Sequence, residues 1–423
     1  MHLFYATAAG MSTPSVNISH MREPANRRRF LKLTAMVTAA TTACSTKESA
    51  PVDDEGPGQL GKPVSAYGER SPFEKTARLV PDVKNPQVAS SRTPLAELHG
   101  IITPNSLHFE RHHSGVPVIN PAEHRLMVHG LVERPLMFTL ADLKRLPSLS
   151  RIYFVECSGN SGSEWSARGA PDVMRAHGLA SCAEWTGVAL RTLLEEAGLK
   201  KEAKWLVAEG ADACKMSRSI PLTKAMDDIL VAYAQNGEAL RPEQGYPLRL
   251  IVPGWEGNIN VKWLRRIKVT DTPYYTKDET SKYTELLADG RAWIFTWPMD
   301  AKSFITLPSG GQKLAGAGFV EITGLAWSGR GKITKVEVST DGGQSWQAAA
   351  LQEPVLSKAF TRFRLPWRWD GTEAVIVSRA TDETGYLQPT REELIAARGR
   401  NSNYHNNATK PWKIAPDGSV TNA

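Results

Sequence analysis

The strongest chemical signal in the chain is a cysteine at the end of an apolar run, in Phe154-Val155-Glu156-Cys157-Ser158-Gly159-Asn160-Ser161-Gly162. A strand that runs straight into a Ser-Gly-Asn turn presents its last thiol where glycine lets the backbone approach a ligand closely. Residue types and spacing leave three roles for Cys157: a structural thiol, half of a disulfide, or a single thiolate ligand to a soft metal. Cys182 and Cys214 follow 25 and 57 positions on, so there is no CxxC metal spacing and no CxxCH haem attachment. Those two read as buried thiols or as a disulfide pair. Glu156 reads as an acceptor behind the cysteine or, more simply, as a strand-end charge. Further groups that could do chemistry are the cluster Phe109-Glu110-Arg111-His112-His113, the cations Arg249 and Lys262, and the tyrosines Tyr274, Tyr275 and Tyr283. Taken singly, each of these is an ordinary surface or packing residue.

The elements that must position them follow from hydrophobic pattern. From about residue 100 to 275 short apolar runs alternate with helical patterns: Leu126-Met127-Val128, Ile152 to Val155, a helix over Ala189 to Ala197, Trp205 to Ala208, and Leu248 to Val252 ending in Pro253-Gly254. This predicts a mixed α/β domain. From about 300 the pattern becomes strand after strand, over Phe319 to Trp327, Ile333 to Thr340, Phe360 to Leu365 and Val375 to Ala380. Asp341-Gly342-Gly343 and Asp370-Gly371 are predicted to act as hairpin turns. That spacing predicts an all-β sandwich of immunoglobulin type, and an α+β chain as a whole. The expected organisation is an export signal over 1–45, a Pro-rich linker or surface-wrapping arm over 46–100, a domain over 101–290 and the sandwich over 300–415.

The 423 residues carry a formal charge of +7, which alone would invite a nucleic-acid reading. Residues 1–50 supply +4 of it and the other 373 residues only +3, so the body is nearly neutral and no nucleic-acid partner is expected. No apolar run reaches the roughly 18 to 20 residues that span a bilayer. Four cysteines in this length exclude a disulfide-built scaffold. Asn26-Arg27-Arg28-Arg29-Phe30-Leu31-Lys32 followed by Leu33 to Ala43 is a basic cluster before a short apolar run, the pattern of an export signal. It resembles a twin-arginine signal, whose machinery carries proteins already folded around a cofactor. Cys44 is a candidate lipid anchor, and Met11 or Met21 a candidate start.

Glu156-Cys157-Ser158-Gly159-Asn160 resembles the signature of the sulfite oxidase family of molybdenum enzymes, and matches continue in order from about 95 to 415. Phe109 to His113, Ser219-Ile220-Pro221-Leu222, Gly245-Tyr246-Pro247-Leu248-Arg249, Val252-Pro253-Gly254 and Val261-Lys262-Trp263-Leu264 resemble segments of its molybdopterin domain. Gly324 to Gly329 and Val336 to Gly343 resemble its dimer-forming domain. Within the family, Tyr67 to Glu74 and Ser158 to Gly162 look like the sulfane dehydrogenase branch.

This resemblance implies a molybdenum-molybdopterin cofactor with Cys157 as its protein ligand to the metal, and an oxidoreductase adding water-derived oxygen to sulfur. It implies contact with the pterin or the substrate for Arg111, His112 and His113, with the pterin phosphate for Arg249 and Lys262, and with the pterin for Asp212. Gln244 stands where animal enzymes carry a phosphate-region histidine. Tyr283 is the implied active-site tyrosine, with Tyr274 and Tyr275 as rivals. His405, found by counting back from Trp412, falls near the family's substrate arginine. Animal enzymes follow the cysteine motif with two arginines; Ser161 and Gly162 occupy those places, which removes a guanidinium fork suited to a small oxyanion. The chain encodes no haem motif, so a separate c-type cytochrome is the implied electron acceptor, a sulfur-carrier protein the implied substrate, and a periplasmic homodimer the implied assembly. The alternatives left open are oxidation of free sulfite, a methionine-sulfoxide-repairing relative, and an exported binding or scaffold protein without metal.

Overall fold

Runs of β-branched and aromatic residues between Leu126 and Thr270 form two sheets whose ends meet. The computed structural model describes residues 61–423 except 167, 168 and 401. The expected export signal, Cys44 and the candidate start sites lie outside the described residues. The first sheet orders Leu136–Phe138, Leu126–Gly130, Leu264–Thr270, Trp205–Gly210 and Ser217–Pro221 side by side. Only the pairing of Leu126–Gly130 with Leu264–Thr270 is parallel, joining segments far apart in sequence. The second sheet is antiparallel and runs Ser148–Glu156, Ala180–Ala189, Leu230–Gln235 and Glu238–Ala239, with Arg249–Ile251 also paired to Leu230–Gln235. The helix Leu190–Ala197 buries Leu190, Leu193, Leu194 and Ala197. That i, i+3, i+4, i+7 stripe packs into the apolar cluster under the first sheet.

The C-terminal part is a sandwich of two antiparallel sheets. One orders Lys302–Leu307, Gly318–Trp327, Thr361–Trp369 and Ala350–Leu351; the other orders Gln347–Ala348, Ile333–Ser339, Ala374–Asp382, Trp412–Ile414 and Val420–Asn422. The turn after Ser339 is a hairpin as expected, since Val338 pairs with Gln347. The turn at Asp370-Gly371 is not. Thr361–Trp369 pairs with Gly318–Trp327, whereas Ala374–Asp382 pairs with Ile333–Ser339 in the facing sheet. This turn therefore carries the chain between layers, and local turn chemistry is the same for both outcomes.

The sheets change near residues 290–300, but the packing does not. Ser71–Ala423 is one compact unit. The sandwich core of Phe304, Trp327, Phe360, Phe363 and Trp412 also takes in Leu95, Phe154, Val173, Ala180 and Cys182 from earlier in the chain. Phe154 stacks on Phe360 at 6.5 Å and packs against Trp327 at 6.0 Å. Each such large apolar side chain contributes about 1.5–3 kcal/mol by leaving water, so Phe154 on the cysteine strand helps fasten that strand to the sandwich. The two parts also touch backbone to backbone. A Cβ on Gly329 would lie 1.9 Å from the Gly254 carbonyl oxygen, so only glycine permits the approach. Residues before 100 contribute as well, with Leu79 bridging Arg92, Ser90 bridging Arg111, and Leu95 fully buried. No described helix is long and apolar enough to cross a membrane.

Candidate active site

A cleft of about 630 Å³ of empty space, its solvent side included, opens where the two early sheets meet. Arg111, His112, His113, Cys157, Asp212, Gln244, Arg249, Lys262 and Tyr283 all line it. Segments from 109 to 283 thus converge on one wall system.

Cys157 ends the strand Ser148–Glu156. Its N–H donates to the Leu179 carbonyl at 2.9 Å and its own carbonyl accepts from the Asn160 N–H at 2.8 Å, which turns the chain at once. Burial pushes its thiol up, so the thiolate requires a nearby cation such as a metal ion. A Cβ on Gly257 would meet the Glu156 carbonyl oxygen at 2.8 Å and Cys157 Cα at 3.1 Å, so glycine there lets a second loop lie against the cysteine.

Three cations face the cleft without a carboxylate partner. Among the described residues Arg111, Arg249 and Lys262 make no ion pair. Arg249 is buried, its Nη1 donates to Gln244 Oε1 at 2.9 Å, and its Nε has no partner. Burial lowers its guanidinium to about 9. Lys262 bridges the Arg249 backbone, and its Nζ donates to the Glu243 carbonyl at 3.0 Å and to His112 Nδ1 at 2.8 Å. Burial, with repulsion from Arg249, pulls Lys262 well below its ordinary value. Desolvated cations held by neutral acceptors leave a strong positive potential in the cleft wall, which an anion relieves. This donor set fits a pterin phosphate, and Cys157, lining the same cleft, fits the metal.

Around these, His112 passes its Nε2–H to Glu110 Oε2 at 2.7 Å, and Glu110 is also paired with Arg78. His113 is lowered to about 4 by burial and by Arg111 and Lys262, so near neutral pH it is an uncharged acceptor. The Tyr283 hydroxyl, pushed well above its usual value chiefly by burial, donates to His113 Nε2 at 2.8 Å. Asp212 Oδ2 accepts from the Cys214 thiol at 2.7 Å. Tyr274 and Tyr275 are 47% and 55% exposed and do not line the cleft, so Tyr283 alone of the three faces it.

Two sequence expectations, for His405 and Glu156, change, and those for the cysteines and for Ser161 and Gly162 are narrowed. His405 does not line the cleft: it is buried, with Nε2 2.9 Å from Thr296 Oγ1 and 3.4 Å from Glu256 Oε2, and its N–H donates to the Ser158 carbonyl at 2.8 Å. Through that backbone bond it braces the cysteine loop, with its own backbone in the left-handed region (φ 52°). Cys182 and Cys214 are both free thiols, one in the sandwich core and one beside Asp212. Glu156 is fully buried and hydrogen-bonded, not a strand-end charge. Ser161 is also buried, with Oγ 2.7 Å from His177 Nδ1, while Gly162 is solvent-exposed and its nearest neighbour for a Cβ is the Asn403 carbonyl oxygen at 3.8 Å.

Sequence reasoning passed over Arg218, Glu256 and Asn258. Arg218 lies 5.3 Å over the Tyr283 ring, donates to Glu256 Oε1 at 2.7 Å and to Asn258 Oδ1, and Asn258 Nδ2 donates to Ser158 Oγ at 3.1 Å. Burial alone would raise the Glu256 carboxyl, but Arg218, His405 and Asn258 carry it down to about 2. The available signal was the polar stretch Glu256 to Asn260 between two apolar motifs.

A thiol-ended cleft with anion-seeking cations, built on these sheets and joined to a β-sandwich, defines a molybdopterin oxidoreductase. Residues 113–277 match the oxidoreductase molybdopterin-binding domain and 293–411 the Mo-co oxidoreductase dimerisation domain. The chain belongs to the sulfite oxidase family and takes the molybdenum-molybdopterin cofactor. It is 32% identical to the sulfite oxidase of Gallus gallus, over 76% of this chain and 79% of that one. The crystal structure of the sulfane dehydrogenase SoxCD from Paracoccus pantotrophus superposes with a TM-score of 0.84 at 48% identity, covering 86% of this chain and 95% of that one. The NADH nitrate reductase of Solanum lycopersicum is 34% identical over 72% of this chain, which spans only 38% of that protein's length.

Proposed function

We propose that this chain is the molybdenum-bearing subunit of a dehydrogenase that oxidises sulfane sulfur carried on a protein, working in the periplasm as a homodimer and passing electrons to a c-type cytochrome subunit. The 48% identity to the sulfane dehydrogenase over nearly its whole chain carries the reading. Membership of the family does not choose a substrate, since nitrate reductases share it. The lack of an arginine at 161 and 162 adds support, because a site for a small oxyanion gains from a guanidinium fork. The dimerisation domain supports the dimer, and Arg27-Arg28 with the short apolar run supports export.

The bound molybdenum centre supplies two-electron redox chemistry. The chain's own residues bind and orient: Cys157 holds the metal, while Arg249 and Lys262 hold the phosphate and Arg111 the negative charge near the sulfur. Each water-derived oxygen added to the terminal sulfur releases two electrons and two protons. His113 and Tyr283 can relay a proton, since one is an uncharged base and the other its donor at 2.8 Å. Arg218 over the tyrosine ring keeps the phenol in place.

Elemental analysis and a paired assay test this reading. We expect about one molybdenum per chain, lost in Cys157→Ser, and cytochrome c reduction with a carrier protein bearing a thiocysteine. High-affinity turnover of free sulfite with none of the carrier would favour the second reading, supported by the likeness to the chicken sulfite oxidase. Absence of metal in protein exported in a molybdenum-replete host would overturn both.

A further inference from the structure

We propose that the sandwich is part of the catalytic apparatus, through a buried clamp in which Lys302 and Trp327 grip Glu156 and so position the Cys157 ligand loop. This rests on the reading of Cys157 as the metal ligand. Lys302 and Trp327 are directly opposed on neighbouring sandwich strands. Both donate to the same carboxylate: Lys302 Nζ to Oε1 at 2.8 Å and Trp327 Nε1 to Oε2 at 2.7 Å. Asn160 Nδ2 donates to Oε1 at 2.9 Å from within the cysteine loop, and Asn160 Oδ1 accepts from the Leu179 N–H at 3.1 Å. With the Asn160 N–H on the Cys157 carbonyl and the Cys157 N–H on the Leu179 carbonyl, the loop from 157 to 160 is closed at both ends and pinned to Glu156.

The Glu156 and Lys302 side chains are each only 1% exposed. Bringing both charges out of water largely cancels their attraction, so a buried pair of this kind adds little stability over a well-packed apolar pair. What it does supply is direction. Three donors converge on one carboxylate, so Glu156 cannot rotate, and the residue after it inherits that constraint. Removing Lys302 leaves an uncompensated carboxylate one residue from the thiolate. Glu156, Lys302 and Trp327 are thus positioning residues acting through Cys157.

The test uses full-length protein carrying Lys302→Met, Lys302→Arg, Trp327→Phe, Glu156→Gln, or the pair Glu156→Gln/Lys302→Met. Molybdenum content, the electron paramagnetic resonance signature of the reduced holoenzyme at matched metal content, and kcat are measured. In parallel, the alkylation rate of Cys157 is followed by peptide mapping in protein from a host unable to make the pterin. Lys302→Met is expected to lower kcat about 10- to 100-fold, to shift the resonance signature, and to speed Cys157 labelling about tenfold. Lys302→Arg should recover part of each effect. The double variant should regain the melting temperature lost in Lys302→Met without regaining the signature. Trp327→Phe, which removes one donor and keeps the ring packing, should show smaller changes of the same kind and covers the case in which Lys302→Met does not fold. Variants with lowered melting temperatures but unchanged signature and labelling rate would overturn the clamp. If wild-type protein takes up no molybdenum, the functional reading fails, and the labelling rates still decide whether the clamp exists.

Discussion

Lys302 and Lys262 are both removed from bulk water, and they are treated in opposite ways. Lys302 meets a carboxylate at 2.8 Å, so its charge is neutralised within the protein. Lys262 meets only carbonyls and an imidazole, beside a second desolvated cation. A buried amide in the sandwich and a buried guanidinium in the cleft differ in the same sense. In the sandwich, Gln388 Oε1 accepts from Ser303 N–H, Ser303 Oγ and Ala380 N–H while its amide donates to the Ser303 carbonyl. In the cleft, Arg249 Nε is left without a partner. Charge partnership thus separates a region whose buried lysine is neutralised by the protein from a cleft whose buried cations are left for a ligand to neutralise.

The sharpest way to break that comparison is to damage the self-sufficient part. Phe363→Ala, a fully buried sandwich residue, should cost about 3–5 kcal/mol, by the same amount in urea unfolding with or without the cofactor. A loss that depended on cofactor would show that the sandwich too is completed by the ligand.

Acid should come next in size. Burial holds His108 at about 3 and His177 well below the ordinary histidine value, so both stay neutral in the fold while their unfolded counterparts protonate below about 6.5. The unfolded chain then binds more protons, and stability falls as pH drops from about 6.5 toward 3. His108 contributes about 1.4 kcal/mol per pH unit across that window, and His177 adds in the same direction. Urea midpoints that stayed level between pH 7 and pH 5 would contradict this.

Lys262→Met should separate the two regions by sign. Pterin retention through gel filtration is expected to fall about 10- to 100-fold, while the cofactor-free protein should melt no lower than wild type, because an unpaired desolvated charge has gone. A large drop in the cofactor-free melting temperature would mean that Lys262 serves the fold. The smallest effect belongs to Phe319→Ser on the sandwich surface, where the ring is 72% exposed. It should change stability by no more than about 0.5 kcal/mol, and a change in the dimer dissociation constant would mark it as an interface residue instead.

Much of this molecule was legible because its signals are local. The short apolar run of Phe319 to Trp327 and the 3.6-period apolar stripe of Leu190 to Ala197 report strand and helix. The Cys157 turn declared itself because strand, thiol and Gly159 are contiguous. The reading failed where two sequence-distant surfaces meet. Nothing near Asp370-Gly371 distinguishes a hairpin from a crossing between sheets. Nothing near Glu156 announces Lys302, which is 146 residues away. His405 was placed by counting, and its imidazole is spent on Thr296 and Glu256 rather than on the cleft it was expected to line.

The sequence by itself determined the elements, the ordered motifs and the inventory of cations, imidazoles and one strand-end thiol from which a molybdopterin site can be made. Only the tertiary structure decided which charges are paired and which are left for a ligand. Burial and partnership are properties of packed surfaces, and an amino-acid pattern encodes its own solvent exposure far better than the identity of the group it will face.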